Sequence, residues 1–211
     1  MFKNLVRAQK RLIKRAICRP LPVLPKLIGG IDVAYSKEEN LGFVAVVVMK
    51  FPSLEVVERL IHRQRVSFPY VPGFLSFREA PMMIKAFREL ENKPDVLFVD
   101  GQGTAHPRKA GIAVHLGVIL KVPTIGCAKK PLLKSFAMPK DEKGAAEPIF
   151  LGKEVVGWVL RTRKGVKPVY ISPGNLITLE ETLNLTLDVT RKYRLPEPIR
   201  LAHHLSVKAK G

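Results

Sequence analysis

Acidic residues are scarce in this chain: 18 Asp and Glu stand against 36 Lys and Arg, a formal net charge of +18. A surplus that large excludes an ordinary charge-balanced surface and favours a polyanionic partner, because each phosphate neutralised releases condensed counterions. Cysteine is nearly missing too. Cys18 and Cys127 form no CxxC pair and no zinc pattern, which excludes a disulfide framework and makes a reducing cytoplasm the expected setting. No apolar run is long enough for a signal or transmembrane helix, so no membrane partner is expected. Internal repeats and low-complexity linkers are lacking as well. The 211 residues suit one domain with a substantial core.

The first twenty residues contain no acid. Leu5, Val6, Leu12, Ile13, Ala16 and Ile17 fit a short amphipathic helix that Pro20, Pro22 and Pro25 terminate, so residues 1–25 read as a basic helix and linker. Three strands follow, near Leu27–Tyr35, Gly42–Phe51 and Leu54–Val66, joined by short turns at Lys37–Leu41 and Pro52-Ser53; this spacing predicts an antiparallel meander. The pattern then changes. A Pro-Tyr-Val-Pro-Gly turn leads to a helix ending near Asn92, a short strand Val96–Val99, a helix over Arg108–Lys121 and an apolar strand Thr124–Ala128, which are βαβ units with parallel strands. Residues Met138–Pro148 read as an exposed loop, and Glu154–Arg163 with Pro168–Ile171 as a hairpin. Thr178-Leu-Glu-Glu181 has capping-box spacing and opens a last long helix, with a frayed tail over 206–211. A three-strand antiparallel meander followed by parallel βαβ units, flanked by helices, is the α/β mixed-sheet architecture of ribonuclease H-like proteins.

Asp32 lies in the middle of the first strand, where a carboxylate is disfavoured by propensity and desolvation; it either faces solvent, pairs with a buried Arg, or binds a ligand. Asp100 ends a parallel strand, at the edge where open α/β sheets bind ligands. If the two strands are neighbours the carboxylates converge; either one protonates, as in an acid/base dyad, or a divalent metal with oxygen ligands, Mg²⁺ or Mn²⁺, relieves their repulsion, which is the better answer beside a basic surface for phosphate. Glu79 is read either as part of a Ser76-x-x-Glu79 capping box or as a free carboxylate on a helix that starts nearer Glu79, which would put Pro81 in its first turn. Lys129 follows the strand after Asp100 and is either a surface lysine or a group that neutralises charge on a phosphate. The Gly101-Gln-Gly103-Thr-Ala-His106 turn follows a strand, but His106 replaces the third glycine of a dinucleotide fingerprint and an Asp precedes it, which argues against a dehydrogenase. Pro69-Tyr70-Val71-Pro72 is a stiff turn, either with Tyr70 packed beneath it or with Tyr70 projecting as a wedge between bases.

Several ordered segments resemble the endonuclease V family: Gly30-Ile-Asp32-Val-Ala-Tyr35, Pro69-Tyr-Val-Pro-Gly-Phe-Leu-Ser-Phe-Arg-Glu79, Val99-Asp100-Gly-Gln-Gly-Thr-Ala-His106-Pro-Arg108, Gly111-Ile-Ala-Val-His-Leu-Gly117, Pro123-Thr-Ile-Gly126, Ala128-Lys129, Ser172-Pro-Gly174 and Arg194-Leu-Pro-Glu-Pro198. The resemblance runs from about Leu27 to His203. It implies a Mg²⁺-dependent endonuclease of DNA repair, with Mn²⁺ able to substitute, that cleaves the second phosphodiester 3′ to a deaminated base such as hypoxanthine. Asp32, Asp100 and Glu79 would bind or border the metal, with His203 where many relatives carry a carboxylate, and Lys129 would contact the phosphate. Tyr70 would be the wedge, and Gly73, Leu75, Gly101, Gly103, His106 and Ile112 would line the base pocket. The expected partner is DNA with deaminated bases, and the expected state is a monomer. Ala80, Val114 and Cys127 stand where the family pattern has glycine, serine and valine. The alternatives are an endoribonuclease on inosine RNA, a junction-resolving nuclease and a non-catalytic basic binding module.

Overall fold

A computed structural model describes residues 2–36 and 38–211. Lys37, in the first expected turn, lies outside the described residues. The helix α1 (Phe2–Arg15) precedes β1 (Leu27–Ser36), β2 (Leu41–Lys50) and β3 (Val56–Arg65). Then come α2 (Leu75–Glu89), β4 (Val96–Asp100), α3 (Ile112–Leu120), β5 (Thr124–Ala128), β6 (Ala146–Leu151), β7 (Glu154–Leu160), β8 (Val169–Asn175), α4 (Leu179–Asp188) and α5 (Glu197–Lys210). The strands form one mixed sheet in the order β3-β2-β1-β4-β5-β8-β7-β6. The β1–β2–β3 meander is antiparallel, β1, β4 and β5 are parallel, and β5 to β6 close the sheet with antiparallel pairs. This is the ribonuclease H-like α/β architecture expected from the pattern.

The apolar run in β2 is uninterrupted because both of its faces are covered. Val44, Val46 and Val48 pack with α2 and α3, while Val47 and Met49 pack in the core beneath α4 and α5. In β4, Leu97 and Val99 face the first layer and Val96 and Phe98 the second. At the sheet edge β3 alternates strictly between half-buried and exposed residues, as a strand with one solvated face does. Cys127 is fully buried in the second layer, and burial pushes its thiol well above the ordinary range.

Several boundaries differ from the sequence expectation. The N-terminal helix stops at Arg15, before Ile17, whose N–H donates to Asn175 Oδ1 at 2.9 Å. Leu54 lies in a turn with φ +63, so β3 begins at Val56. Glu58 accepts from the N–H groups of Glu91 and Asn92 at 3.0 and 2.7 Å, holding that segment outside α2. The helix expected from Arg108 starts only at Ile112, because Gly111 N–H donates to Gly103 O and Arg108 is tied elsewhere. Pro148 belongs to the edge strand β6, where its missing N–H is tolerated. The last long helix is in fact two. Thr178 and Glu181 do form the capping box of α4, but α5 starts afresh with Pro198 in its first turn. The tail over 206–211 is not frayed: α5 continues to Lys210 and Ser206 is fully buried.

The seat of α5 on β1 depends on Gly30, where a Cβ would lie 2.1 Å from Pro198 O. Backbone cannot yield as a side chain does, so Gly30→Ala is expected to cost about 2–3 kcal/mol, read as a lower urea midpoint at unchanged m. An unchanged midpoint would show that α5 is free to shift.

Candidate metal centre and base pocket

The pairing of β1 with β4 ends at Ile31 opposite Val99, so Asp32 and Asp100 are the next residues along two adjacent parallel strands. Both side chains reach the carboxyl edge of β4. From the second layer α5 turns His203 and Ser206, three residues apart, toward the same point. His203 Nδ1 lies 2.9 Å from Asp32 Oδ2, and Ser206 Oγ donates to that oxygen at 2.9 Å. One ligand atom each from Asp32, Asp100 and His203 lies within 4.8 Å of the others. Lys129, one residue past β5, donates its ammonium to Asp100 Oδ2 and stands 3.5 Å from His203 Nδ1.

Glu79 stands outside that three-residue group but is 8% exposed and close enough to feel both aspartates. Its position differs from both sequence readings. The helix α2 begins at Leu75 with no side-chain cap, and the buried Ser76 Oγ has no partner, so there is no capping box. Nor does the helix start near Glu79, because Phe74 N–H to Val71 O and Phe77 N–H to Phe74 O already wind the chain into it. Pro81 therefore sits inside α2, where it lacks the N–H that would bond Phe77 O. Tyr35, to which the sequence reading gave no role, donates to Glu79 Oε1 at 3.0 Å. Arg78 stacks its guanidinium over the Tyr35 ring at 4.6 Å and donates to Phe68 O.

Three carboxylates crowd a space that holds one ammonium and one imidazole. Two negative charges no more than 4.8 Å apart repel by at least roughly 3 kcal/mol at an effective dielectric of 20. Burial and the charge of Asp32 raise the Asp100 carboxyl against the pull of Lys129. Burial, then the charges of Asp32 and Asp100, push Glu79 up to about 8, although the Tyr35 hydroxyl opposes this. A hard divalent cation fits this donor set: oxygen-rich, with one imidazole, and short of positive charge.

Beside this cluster is a slot of about 90 Å³ lined by Tyr70, Gly73, Leu75, His106, Ile112 and neighbouring residues. Tyr70 is 65% exposed, so it projects and is not packed beneath its turn. Gly101 and Gly103 are not among the residues lining the slot: Gly101 N–H bonds Cys127 O, and Gly103 N–H bonds Ser172 Oγ at 2.9 Å. Burial, aided by the Arg108 charge, lowers His106 to about 4 and keeps its ring neutral near pH 7. His106 Nδ1 accepts from Arg108 N–H at 3.1 Å, which leaves Nε2 to carry the proton. Of the residues the sequence reading passed over, Ser206 was detectable, since Ile199, Ala202 and Ser206 repeat at helical spacing on the buried face of α5. Tyr35 had no comparable signal, because its partner lies 44 residues away.

The raised Glu79 makes a pH prediction. Its folded-state pKa exceeds the ordinary 4.5, so its contribution to stability is full below about pH 4.5 and is lost as pH rises through about 8. In EDTA, Glu79→Gln should melt above the wild type at pH 8 and converge with it near pH 4.5. A melting difference independent of pH would contradict the crowding.

The endonuclease V family model matches residues 9–204. The endonuclease V of Dictyoglomus thermophilum is 45% identical over 208 residues, 99% of this chain and 90% of that protein. The crystal structure of endonuclease V from Streptomyces avermitilis superposes with a TM-score of 0.93 at 40% identity, covering 99% of this chain and 92% of that one. Endonuclease V of Ciona intestinalis, in complex with a 24mer DNA containing an inosine followed by a ribo-adenosine, superposes with a TM-score of 0.87 at 27% identity, covering 99% and 97%. With the family pattern spanning nearly the whole sequence and the acidic cluster assembled at the sheet edge, this chain belongs to the endonuclease V family.

Proposed function

We propose that this chain is a Mg²⁺-dependent endodeoxyribonuclease of DNA repair that nicks DNA at the second phosphodiester 3′ to hypoxanthine, leaving 3′-hydroxyl and 5′-phosphate ends. The observation that carries the reading is the convergence of Asp32, Asp100 and His203 beside the slot at Tyr70, in a family whose Ciona relative is seen on inosine-containing DNA. Asp32, Asp100 and His203 hold the cation, and Mn²⁺ substitutes for Mg²⁺. When bound, the cation supplies Lewis acidity for phosphodiester hydrolysis. Glu79, poised near neutrality, holds or accepts a proton at the edge of this centre. Lys129 transfers its ammonium from Asp100 to the phosphate, where it stabilises the charge that develops in in-line attack.

Tyr70 wedges into the stack, an insertion that is cheapest at a mismatched or damaged pair. The extruded base enters the slot between Gly73, Leu75, Ile112 and the neutral His106. The +18 charge supplies the sequence-independent grip on phosphates. A second reading, cleavage of inosine RNA, has one observation in its favour: the nucleotide after inosine in the DNA bound to the Ciona relative is a ribo-adenosine.

Labelled duplexes with a central inosine, with and without Mg²⁺, beside an unmodified duplex and an inosine RNA, test the reading. It predicts a Mg²⁺-dependent cut one nucleotide beyond inosine in DNA, abolished by EDTA and by Asp32→Ala or Asp100→Ala with binding retained. Lys129→Ala should slow the cut by about 10²–10³-fold. Preference for the RNA would change the substrate, and binding without any cut would make the protein a binding module.

A further inference from the structure

Gln9 is the one fully buried polar side chain among the described residues of α1, at 1% exposure. The rest of the helix's buried contact is apolar: Leu12 packs with Val114 and Val118 of α3. Burying a primary amide is costly unless it is hydrogen-bonded, and a leucine or methionine would fill the same space without that demand. The amide of Gln9 is satisfied on both sides by the two loops that border the slot. Its Nε2 donates to Gly73 O at 2.9 Å, and its Oε1 accepts from Arg108 Nε at 2.5 Å. Arg108 closes the triangle by donating Nη2 to Gly73 O at 2.7 Å.

Of the triangle's corners, Gly73 lines the slot, while Gln9 and Arg108 reach it only through Gly73 and His106. Gly73 lines it in a left-handed conformation, φ +77, and a Cβ there would lie 2.8 Å from Arg108 Nη2. Arg108 donates its backbone N–H to His106 Nδ1, and His106 in turn hydrogen-bonds the Gly73 backbone. The two loops are far apart in sequence, and Gln9 belongs to a third segment, 64 residues from Gly73 and 99 from Arg108.

We propose that Gln9 is a positioning residue for base selection. By tying Gly73 of the wedge turn to Arg108 of the His106 loop, it fixes the width of the slot and with it the fit of the extruded base. The inference rests on the nuclease reading above.

The test uses the full chain with Gln9→Leu, which keeps volume and helix propensity, and Leu12→Ala, which weakens the docking of α1 by packing alone. Nicking of inosine and of uracil duplexes is compared at a temperature well below every melting point, with hydrogen exchange measured over residues 69–76 and 103–112. For Gln9→Leu the preference for inosine should fall about tenfold, mainly through KM, with faster exchange in both loops and an unchanged Mg²⁺ requirement. Leu12→Ala should lower the melting temperature while keeping the preference. A wild type indifferent to inosine would overturn the nuclease reading and this inference together. A wild type that prefers inosine, matched by a Gln9→Leu variant with the same preference, would overturn this inference alone, whatever its exchange.

Discussion

Asp32 and Asp100 sit side by side because β1 and β4 pair in parallel and both carboxylates come one residue after the last matched pair. That repulsion is the constraint around which the neighbouring elements are arranged. Lys129 arrives at the end of the next parallel strand, and His203 and Ser206 arrive on a helix from the second layer. Together they offset part of the negative charge, and Glu79 nearby remains raised to about 8. A site that is left electrostatically short in the free protein is ready for a cation. The donor set, two carboxylates and one imidazole, suits a divalent cation.

The same arrangement places the slot. The strand β4 delivers the Gly101–Arg108 loop to the sheet edge, and α2 enters from the Pro69–Pro72 turn with Glu79 about one helical turn in. One helix therefore carries Leu75 at the slot and Glu79 beside the carboxylates, so the slot and the acidic centre share a rigid support. Tyr70 stands exposed at the mouth, on a turn stiffened by two prolines.

Much of this was legible in the sequence. An aspartate inside an apolar strand and another closing a parallel strand are costly unless they meet a ligand, and the meander-then-βαβ pattern makes those strands neighbours. What escaped was set by tertiary context. The start of α2 was misjudged because local rules penalise Pro81 inside a helix, whereas burial of Met82, Met83 and Phe87 compensates for the lost bond. The break between α4 and α5 was missed because the Thr178 capping box gave a strong start signal, while α4 stops at Asp188 with no glycine or proline beside it and the Pro196 and Pro198 pair only opens α5. Neither Gln9 nor Tyr35 shows its contact in local spacing: each meets partners dozens of residues away.

The claim on which the rest turns is that the Asp32–Asp100–His203 cluster is a divalent cation site. Crystals soaked in Mn²⁺ and measured at the manganese edge test it directly. An anomalous peak within bonding distance of both aspartate carboxylates, with the Lys129 ammonium released from Asp100, is the predicted result. A cluster that stays free of manganese, with Lys129 still paired to Asp100, would contradict it.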